Sequence, residues 1–356
     1  MSNCQPTLLY ISVNDGTDTR IYKEIKSLGS RFKVTFIGVK TPTSSTSMLP
    51  EDCRVILIQG MRRSPWTIVK LFFQVLFLNP RSFKSIHVIN ENLALVLYPL
   101  LLLSRHWVLD VFDSFFLKST SRLTSFFKNI LQRFIYGSAD VILVTDDARL
   151  NLLPTWSRSK ARVLPNYPLS ENLTPVPKAK PEGPLKIFFS GSIGADRGIP
   201  FLLNLIKNDS ELKVYVAGWL YDKAGEDFCK HPQVNYYGVM HQSEAAKIAK
   251  ESDYILCLYE PNIVNNIYAS PNKIYDGIKV GTPVIINQEI LVSTFVREEK
   301  LGYVIESYSP SDVKNILRDL KEQRGGYEHI AKLQGKYTWE SIEPVLTGAH
   351  LNQAIL

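Results

Sequence analysis

The feature that most constrains the fold of this sequence is a repeated alternation of short apolar, β-branched runs with amphipathic stretches. The runs are almost continuously hydrophobic, which is typical of buried parallel strands rather than half-exposed antiparallel ones. Most stretches between them are long enough for crossover helices, so the pattern predicts β-α-β units around parallel sheets. The predicted strands are 8–13, 33–37, 54–58, 85–89, 107–111, 140–144 and 162–164 in the first half, and 185–189, 212–216, 233–237, 253–258, 283–286 and 301–305 in the second.

A proline-rich segment interrupts this alternation. Residues 166–184 contain Pro168, Pro175, Pro177, Pro181 and Pro184 with almost no apolar periodicity, which indicates an interdomain linker. We therefore expect an N-terminal domain at 1–166, a linker at 167–184 and a second α/β domain at 185–336. Because open parallel sheets bind ligands beyond the carboxyl ends of their strands, a cleft between the two domains is the expected active site.

The composition excludes several classes of protein. With 356 residues, of which 45% are hydrophobic and 21% charged, the chain is neither disordered nor collagen-like. The cysteines, at positions 4, 53, 229 and 257, form no C-x-x-C pair, so neither a zinc site nor a disulfide framework is predicted. No signal peptide is recognised, and a reducing, cytoplasmic setting is expected. The longest apolar runs, 72–78 and 93–103, are shorter than the ~20 residues of a membrane span.

One local signal lies in the segment FFSGSIGADRG, which follows a predicted strand. Gly191 and Gly194 occupy a short loop, and Arg197 precedes an apolar helix predicted at 199–206. Glycines let a backbone approach a bulky anion, a helix N-terminus offers free N–H groups, and arginine adds bidentate hydrogen bonds. The segment is consistent with phosphate binding, and an ordinary β-α turn with a solvated arginine is the alternative.

A second signal lies in the segment YASPNKIYDGIKVGTPVI. Ser270 can cap a helix that begins at Pro271, with Lys273 in the first turn and Asp276 on the same face. A cation in the first turn is unfavourable beside the positive end of the helix dipole. Its presence there therefore indicates that an anion binds at this helix end. Lysine for a diphosphate and aspartate for ribose hydroxyls would hold a nucleotide, and a salt-bridged helix start is the alternative.

These segments together resemble a known family. In order, FSGSIGADRG, VYVAG, VNYYG, SDYILCLY and SPNKIYDGIKVGTPVI resemble the donor-binding half of GT-B glycosyltransferases, particularly glycosyltransferase family 4 (group 1). Residues 15–21, 139–142 and 164–166 resemble the N-terminal half, and 337–340 resembles the start of the last helix. The resemblance implies an α/β chain with two Rossmann-like, doubly wound domains facing a cleft. It also implies a C-terminal helix at 337–356 that crosses back to the N-terminal domain.

The resemblance assigns roles to particular residues. Arg197 matches the basic residue that contacts the donor diphosphate, Lys273 would face the phosphates, and Asp276 stands where a glutamate binds the ribose. Both cations would act in catalysis by neutralising the leaving group. The other expected contacts of the donor nucleotide are Gly191, Ser192, Gly194, Gly238, Met240, Ser270 and Asn272.

Three positions depart from the family pattern. Ser192 replaces a second basic residue, Tyr268 replaces the first of two glutamates, and Phe112 stands where a histidine commonly lies near the donor sugar. Contacts to the donor sugar are therefore less well defined than contacts to the nucleotide.

Acidic residues follow a buried strand of the N-terminal domain. Asp113 is the candidate catalytic base, because a carboxylate there can accept a proton from an acceptor hydroxyl. Binding of sugar hydroxyls, or a pair with an arginine such as Arg20, is the alternative for Asp110 and Asp113. The expected acceptor or sugar contacts are Gly16, Arg20, Asp110 and Asp113. No D-x-D motif follows a strand, so no metal site is predicted.

The net charge of +7 and the pI near 9.0 predict an anionic partner. Nucleic acid is not expected, since no recognition motif accompanies the charge. Cations outnumber carboxylates strongly between residues 61 and 137. Apolar residues occur there at helical spacing, namely Ile68, Leu71, Phe72 and Val75, then Phe126, Phe127, Ile130, Leu131 and Phe134. Basic amphipathic helices bind anionic membranes, and packing of these stripes on the sheet is the alternative.

The resemblance implies a retaining, metal-independent glycosyltransferase that transfers sugar from a UDP- or GDP-linked donor to a hydroxyl. No cofactor besides this donor is expected. The expected acceptor is a lipid-linked saccharide or glycolipid in polysaccharide assembly, and the expected location is the cytoplasm, peripheral on the inner face of the cell membrane. A GT-B nucleotide-sugar epimerase and a catalytically silent nucleotide-sugar-binding subunit are the alternatives.

Overall fold

The computed structural model describes residues 5–42, 49–62, 64–118, 122–170 and 182–351, with the side chains of 117–118 and 122–126 left outside the description. The chain forms two compact units. The first unit comprises the chain up to Pro165 together with the segment from Glu340 onward, and the second unit is Asn166–Trp339.

The first unit is built on a seven-stranded sheet with the strand order β3-β2-β1-β4-β5-β6-β7. Every strand pairing described in this sheet is parallel. Its elements are β1 (Thr7–Ile11), α1 (Thr19–Gly29), β2 (Lys33–Lys40), β3 (Arg54–Gln59), α2 (Pro65–Phe77), β4 (Ser85–Ile89), α3 (Glu91–Leu101), β5 (Trp107–Val111), α4 (Arg122–Ser138), β6 (Val141–Val144), α5 (Asp147–Leu152) and β7 (Ala161–Val163).

The second unit is built on a six-stranded sheet with the strand order β10-β9-β8-β11-β12-β13, and its described pairings are also parallel. Its elements are β8 (Lys186–Ile193), α6 (Ile199–Asn208), β9 (Lys213–Leu220), α7 (Lys223–Phe228), β10 (Val234–Tyr236), α8 (Gln242–Glu251), β11 (Tyr254–Cys257), α9 (Val264–Ile267), α10 (Asn272–Val280), β12 (Val284–Asn287), α11 (Ser293–Glu298), β13 (Gly302–Ile305), α12 (Val313–Gln323) and α13 (Ile330–Leu333).

The predicted strands are all present, and the main difference concerns the end of β8. The sequence predicts a loop after Phe189, but β8 and β9 stay paired through Gly191↔Gly218 as far as Ile193↔Leu220. A Cβ at Gly218 would lie 1.8 Å from the carbonyl oxygen of Gly191. The two strands can therefore run on past the first loop glycine only because position 218 carries no side chain.

A final helix, α14 (Trp339–Leu351), belongs to the first unit rather than to the unit that precedes it in the chain. Its His350 is fully buried, with Nδ1 2.7 Å from Oγ of Ser85 and Nε2 3.0 Å from Nδ1 of His87. His106 Nε2 lies 2.7 Å from the carbonyl oxygen of Ala349. These polar contacts fix the helix against β4, as the expected crossover requires.

The apolar stripes predicted on α2 and α4 have different environments in the structure. On α2, Leu71 and Val75 are buried, and Phe72 packs against the core of the first unit. On α4, Leu131 packs against the same core, while the side chain of Phe126 lies outside the described residues. The proposed stripe of α2 is therefore a core face, as the alternative interpretation held.

The opposite face of α2 carries a second set of apolar side chains, whereas on α4 three residues of the predicted stripe itself are exposed. The exposed residues are Trp66, Val69, Phe73, Leu76 and Phe77 on α2, and Phe127, Ile130 and Phe134 on α4. In the described part of the chain, no helix combines the length and hydropathy that a bilayer crossing requires.

Candidate functional site

The second sheet reverses its strand order between β8 and β11, and such a switch point is where open parallel sheets bind ligands. The loop that leaves β8 is fixed there by Tyr308. Its hydroxyl donates to the carbonyl oxygen of Ala195 at 2.6 Å and accepts from the Gly198 N–H at 2.9 Å. Burial raises the pKa of Tyr308 to about 12, so the hydroxyl keeps its proton at neutral pH. The loop is therefore held in one conformation before any ligand arrives.

Two cations lie beside one aromatic ring at this switch point. The guanidinium of Arg197 is 4.6 Å from the ring centroid of Tyr259, and the ammonium of Lys273 is 5.4 Å from the same centroid. The side chain of Asn287 accepts from the Tyr259 N–H and donates to its carbonyl oxygen, each at 3.1 Å. Arg197 and Lys273, which are far apart in sequence, are thus brought together around a fixed residue.

Arg197 is not a solvated side chain. It is 20% exposed, donates to Oδ1 of Asn266 at 3.0 Å and forms an ion pair with Asp196 at 3.0 Å. Asn266 is itself buried and donates to the carbonyl oxygen of Glu260 at 2.9 Å. The guanidinium is therefore oriented by its surroundings, and an incoming anion would compete with Asp196 for it.

Lys273 and Asp276 line one pocket, together with Ser190 within β8 and Gln242 at the start of α8. A Cβ at Gly191 would lie 3.7 Å from the Lys273 ammonium, so the open position at 191 leaves room beside that cation. The pocket, of about 40 Å³ and otherwise largely apolar, thus brings a cation and a carboxylate together, the groups expected to contact the phosphate and the ribose of a nucleotide.

The start of α10 differs from the sequence prediction. The helix begins at Asn272 with Pro271 as its cap residue, and Ser270 makes no capping hydrogen bond. The Ser270 hydroxyl is buried without a hydrogen-bond partner among the described residues. Asn272 is exposed, and its side-chain oxygen accepts a hydrogen bond from Asn166. Ser270 thus offers an unused hydroxyl at this end of the helix.

The remaining predicted nucleotide contacts have different local environments. Gly191 and Gly238 have positive φ angles of 96° and 70°, which glycine adopts without strain. The Gly238 carbonyl accepts from the Gly218 N–H at 2.8 Å. Ser192 lies within β8 opposite Trp219. A Cβ at Gly194 would lie 2.2 Å from the Tyr221 ring, so Gly194 is required for packing.

Met240 behaves differently from the other residues of its turn. Its side chain packs, partly buried, against the apolar cluster that includes Phe188 and Ile255. Val239 beside it is exposed. The Met240 side chain therefore packs in the core, and the backbone of this turn is left to contact a nucleobase.

In the first unit, the structure corrects the assignment of Arg20 and Asp110 as substrate contacts. Their side chains are 3% and 0% exposed, and Nη2 of Arg20 lies 2.9 Å from Oδ2 of Asp110. Arg20 also pairs with Glu24 at 2.8 Å and donates to the Leu164 carbonyl at 2.8 Å. Both residues are therefore committed to an internal ion-pair network, which is the alternative that the sequence left open.

This network shifts the pKa values of its buried carboxylates. Burial and the Asp110 carboxylate raise the pKa of Glu24, to which Tyr10 donates a 2.6 Å hydrogen bond. Burial acts to raise the pKa of Asp110 as well, but the Arg20 charge and the His87 hydrogen bond outweigh it and lower that pKa. Glu24, His87 and Asp110 are close enough to hold a metal ion. The Arg20 guanidinium already supplies a positive charge to both carboxylates.

Asp113 is placed differently from Asp110. Its side chain is 61% exposed, and Oδ1 lies 3.8 Å from Nη2 of Arg149. The Asn90 side-chain oxygen accepts from the N–H groups of Phe112 and Asp113 at 2.8 and 3.0 Å. Asn90 itself has a φ of 64°, an uncommon conformation for a residue other than glycine. The β5 loop is thus fixed while its carboxylate stays accessible.

Two N-terminal positions remain, namely Gly16, which is buried, and Phe112, which is half-buried. Gly16 is buried in the β1–α1 loop with a φ of 89°, and its N–H donates to Asn14 at 3.0 Å. Phe112 lies under the Arg20 guanidinium, 4.7 Å from ring centroid to Cζ. Phe112 occupies the position where the family pattern has a histidine.

Several functional neighbours were not identified from the sequence. Tyr259 could have been found, because it follows β11 at the switch point. Asn266, Asn90 and Arg149 give no such signal, since their roles depend on contacts with residues distant in sequence.

Comparison with known structures defines the class of this fold. The structure is similar to sucrose-phosphate synthase from Thermosynechococcus elongatus, with a TM-score of 0.76 at 15% identity, covering 98% of this chain and 99% of that one. It is also similar to WaaG, a glycosyltransferase involved in lipopolysaccharide biosynthesis, with a TM-score of 0.69 at 12% identity, covering 96% and 100% of the two chains.

A third similar structure is that of HepE from Anabaena in complex with UDP and glucose, with a TM-score of 0.69 at 9% identity, covering 98% and 100%. The chain therefore has the GT-B fold of these glycosyltransferases. No family model matches the sequence, and no curated protein matches it either.

Proposed function

We propose that this protein is a glycosyltransferase that transfers a sugar from a nucleoside diphosphate sugar to a hydroxyl acceptor. The observation that carries the proposal is the pair of cations, Arg197 and Lys273, beside the Tyr259 ring at the switch point of the second sheet. A diphosphate leaving group carries charge that such preorganised cations stabilise in the transition state.

The donor would occupy the second unit. Its diphosphate would contact Arg197, Lys273 and the backbone at Gly191, and Asp276 would accept hydrogen bonds from the ribose. UDP is the favoured nucleotide, because similar structures were solved with UDP and with a UDP-linked fluoro sugar. Ser270, with its unused buried hydroxyl, is a further contact for the donor.

The reaction would form a bond between the acceptor oxygen and the anomeric carbon while the bond from that carbon to the diphosphate breaks. The electron pair of the broken bond goes to the diphosphate oxygen, beside Arg197 and Lys273. The acceptor proton passes to Asp113, the exposed carboxylate of the β5 loop. We propose retention of configuration, in which the acceptor oxygen approaches the same face of the anomeric carbon that the diphosphate leaves. We also propose no metal requirement, since the two cations can balance the leaving-group charge.

The acceptor in this proposal is lipid-linked, and the enzyme binds the inner face of the cell membrane peripherally. The exposed face of α2 carries Trp66, Val69, Phe73, Leu76 and Phe77. Exposed cations lie near this face, namely Lys70 on α2, Arg105 after α3 and Arg133 on α4. The helix α3 contacts both α2 and α4. Apolar side chains flanked by cations suit an anionic lipid surface rather than a neutral one.

The test of the proposal is incubation of the full chain with UDP- and GDP-sugars, with and without a lipid extract, while nucleotide release and sugar isomerisation are followed. A transferase releases nucleotide faster with the extract. Isomerisation without any acceptor would instead establish an epimerase. Nucleotide-sugar binding without turnover in either condition would establish a silent binding subunit.

A further inference from the structure

A small cavity lies at the carboxyl-end edge of the first sheet, beside the β5 loop that carries Asp113. Its volume is about 30 Å³, whereas one water needs about 10–15 Å³. Val111 and Val144, at the ends of β5 and β6, form part of its apolar wall. The cavity is therefore large enough for a small polar group, and it belongs entirely to the first unit.

Polar side chains converge on this cavity from two helices. Lys128, Gln132 and Tyr136 lie at successive i, i+4 positions along α4, so they share one face of that helix. Arg149 reaches the cavity from α5. Gln132 and Arg149 are buried at 7% and 5% exposure. Polar groups with so little solvent contact are placed by the fold.

A buried carboxylate organises the wall without occupying the cavity. Oε1 of Glu91 accepts from the Tyr136 hydroxyl at 2.8 Å and from the Ser114 hydroxyl at 2.9 Å. Its Oε2 accepts from the Phe115 N–H at 2.9 Å. Burial raises the pKa of Glu91. These bonds engage both oxygens in holding the loop after β5.

The two cations at the cavity differ in their contacts. Arg149 donates to the carbonyl oxygen of Phe112 and lies 3.8 Å from the largely exposed Asp113 carboxylate. Within the described part of the chain, Lys128 forms no hydrogen bond or ion pair, and its side chain is half-buried. A guanidinium and an ammonium facing one small cavity match a dianion better than a neutral sugar.

We propose that this cavity binds a phosphoryl group of the acceptor, with Lys128 and Arg149 as its cationic contacts and Gln132 as a hydrogen-bond donor. This deepens the proposed transfer reaction and rests on it, because it names the acceptor class as a phosphorylated saccharide or lipid-linked phosphate. Anchoring the phosphoryl group beside Arg149 would bring a nearby acceptor hydroxyl to Asp113. Lys128 and Arg149 are thus specificity-determining residues for the acceptor.

The test uses the full chain and inorganic phosphate as the probe, with binding measured by calorimetry. Lys128→Gln removes one cation without disturbing the described contacts, and Arg133→Gln makes the same charge change at an exposed position of the same helix. Lys273→Gln weakens phosphate binding in the second unit. We expect Lys128→Gln to weaken phosphate binding at this cavity about tenfold or more, and phosphate binding at this cavity to survive in the other two variants.

Loss of phosphate binding in Lys273→Gln with full retention in Lys128→Gln would overturn the inference, because the probe would then occupy only the donor site. Equal losses in Lys128→Gln and Arg133→Gln would also overturn it, as would no binding by the unchanged chain. Titration of UDP into the same samples separates this inference from the proposed function. Failure to bind UDP defeats the transferase, whereas failure to bind phosphate with intact UDP binding defeats only the acceptor subsite.

Discussion

Arg197 and Lys273 both lie within 6 Å of a single ring, that of Tyr259, although they come from different helix-loop units of the chain. The cations would repel one another in the absence of an anion, and the electron-rich ring face offsets part of that repulsion. The arrangement is consistent with a ligand that carries more than one negative charge.

Removing either cation should weaken nucleotide binding. Arg197→Gln and Lys273→Gln should each lose about 1.5–3 kcal/mol of UDP binding free energy, the usual value of a charged hydrogen bond. Calorimetry with UDP checks the prediction. Arg297→Gln, an exposed arginine on α11, is the matched control and should bind UDP normally. Unchanged affinity in both site variants would remove these residues from the donor site.

Asp276 is expected to contact the ribose rather than the transferred sugar. Asp276→Asn keeps the shape of the side chain but loses its charge, so affinity should fall for UDP as well as for UDP-sugars. The comparison of the two ligands decides the assignment. If only UDP-sugar binding weakened, the carboxylate would contact the sugar instead.

The two aspartates near the end of β5 should respond in opposite ways to the same substitution. Asp110→Asn leaves the buried Arg20 without its charged partner, and breaking such a pair costs about 3–5 kcal/mol of unfolding free energy. Asp113→Asn should leave stability unchanged, because its side chain is largely exposed, but should reduce turnover strongly. Urea denaturation and nucleotide release are the two measurements. Loss of stability in both variants would contradict the assigned roles.

The histidines under α14 should make stability depend on pH. Burial, followed by the charges of His87 and His106, lowers the pKa of His350 well below its ordinary value. Between that pKa and the unfolded value near 6.5 the unfolded chain binds more protons, so stability falls as pH decreases. Between pH 7.5 and 5.5, a histidine that stays neutral in the folded chain removes about 1.4 kcal/mol of stability.

The pH dependence caused by His350 has to be separated from that of other buried groups. The raised pKa values of Glu24 and Glu91 act with the opposite sign, since their folded forms bind extra protons. Urea denaturation of the unchanged chain and of His350→Gln at both pH values isolates the histidine. Parallel pH profiles in the two proteins would show that His350 does not titrate in this way.

The exposed apolar face of α2 should attach the protein to anionic vesicles. Trp66 and Phe77 are 77% and 79% exposed, so Trp66→Ser with Phe77→Ser should reduce cosedimentation without destabilising the fold. Leu203→Ser, an exposed position on α6, is the control. Binding should weaken with salt but persist, because screening affects only the cationic part. Negligible sedimentation of the unchanged protein with anionic vesicles would favour a water-soluble acceptor.

The sequence was sufficient to predict the strands, because buried parallel strands leave continuous apolar runs such as Ser85–Ile89 and Trp107–Val111. The family resemblance, rather than the strand pattern, assigned Arg197 and Lys273 to one diphosphate. The sequence could not distinguish Asp110 from Asp113, since burial against Arg20 depends on the packing of α1 on the sheet. The sequence also could not predict the left-handed conformation of Asn90, because contacts with the loop after β5 fix it.

The return of α14 to the first unit has a consequence for synthesis of the chain. Domains fold as units while the chain emerges, and the second unit is one continuous stretch that can be completed as it is made. The first unit cannot be, because the partner of His87 lies at position 350. The first unit is therefore synthesised first but completes its folding last. A nascent chain stalled before α14 would expose the polar surface of β4 to cellular quality control.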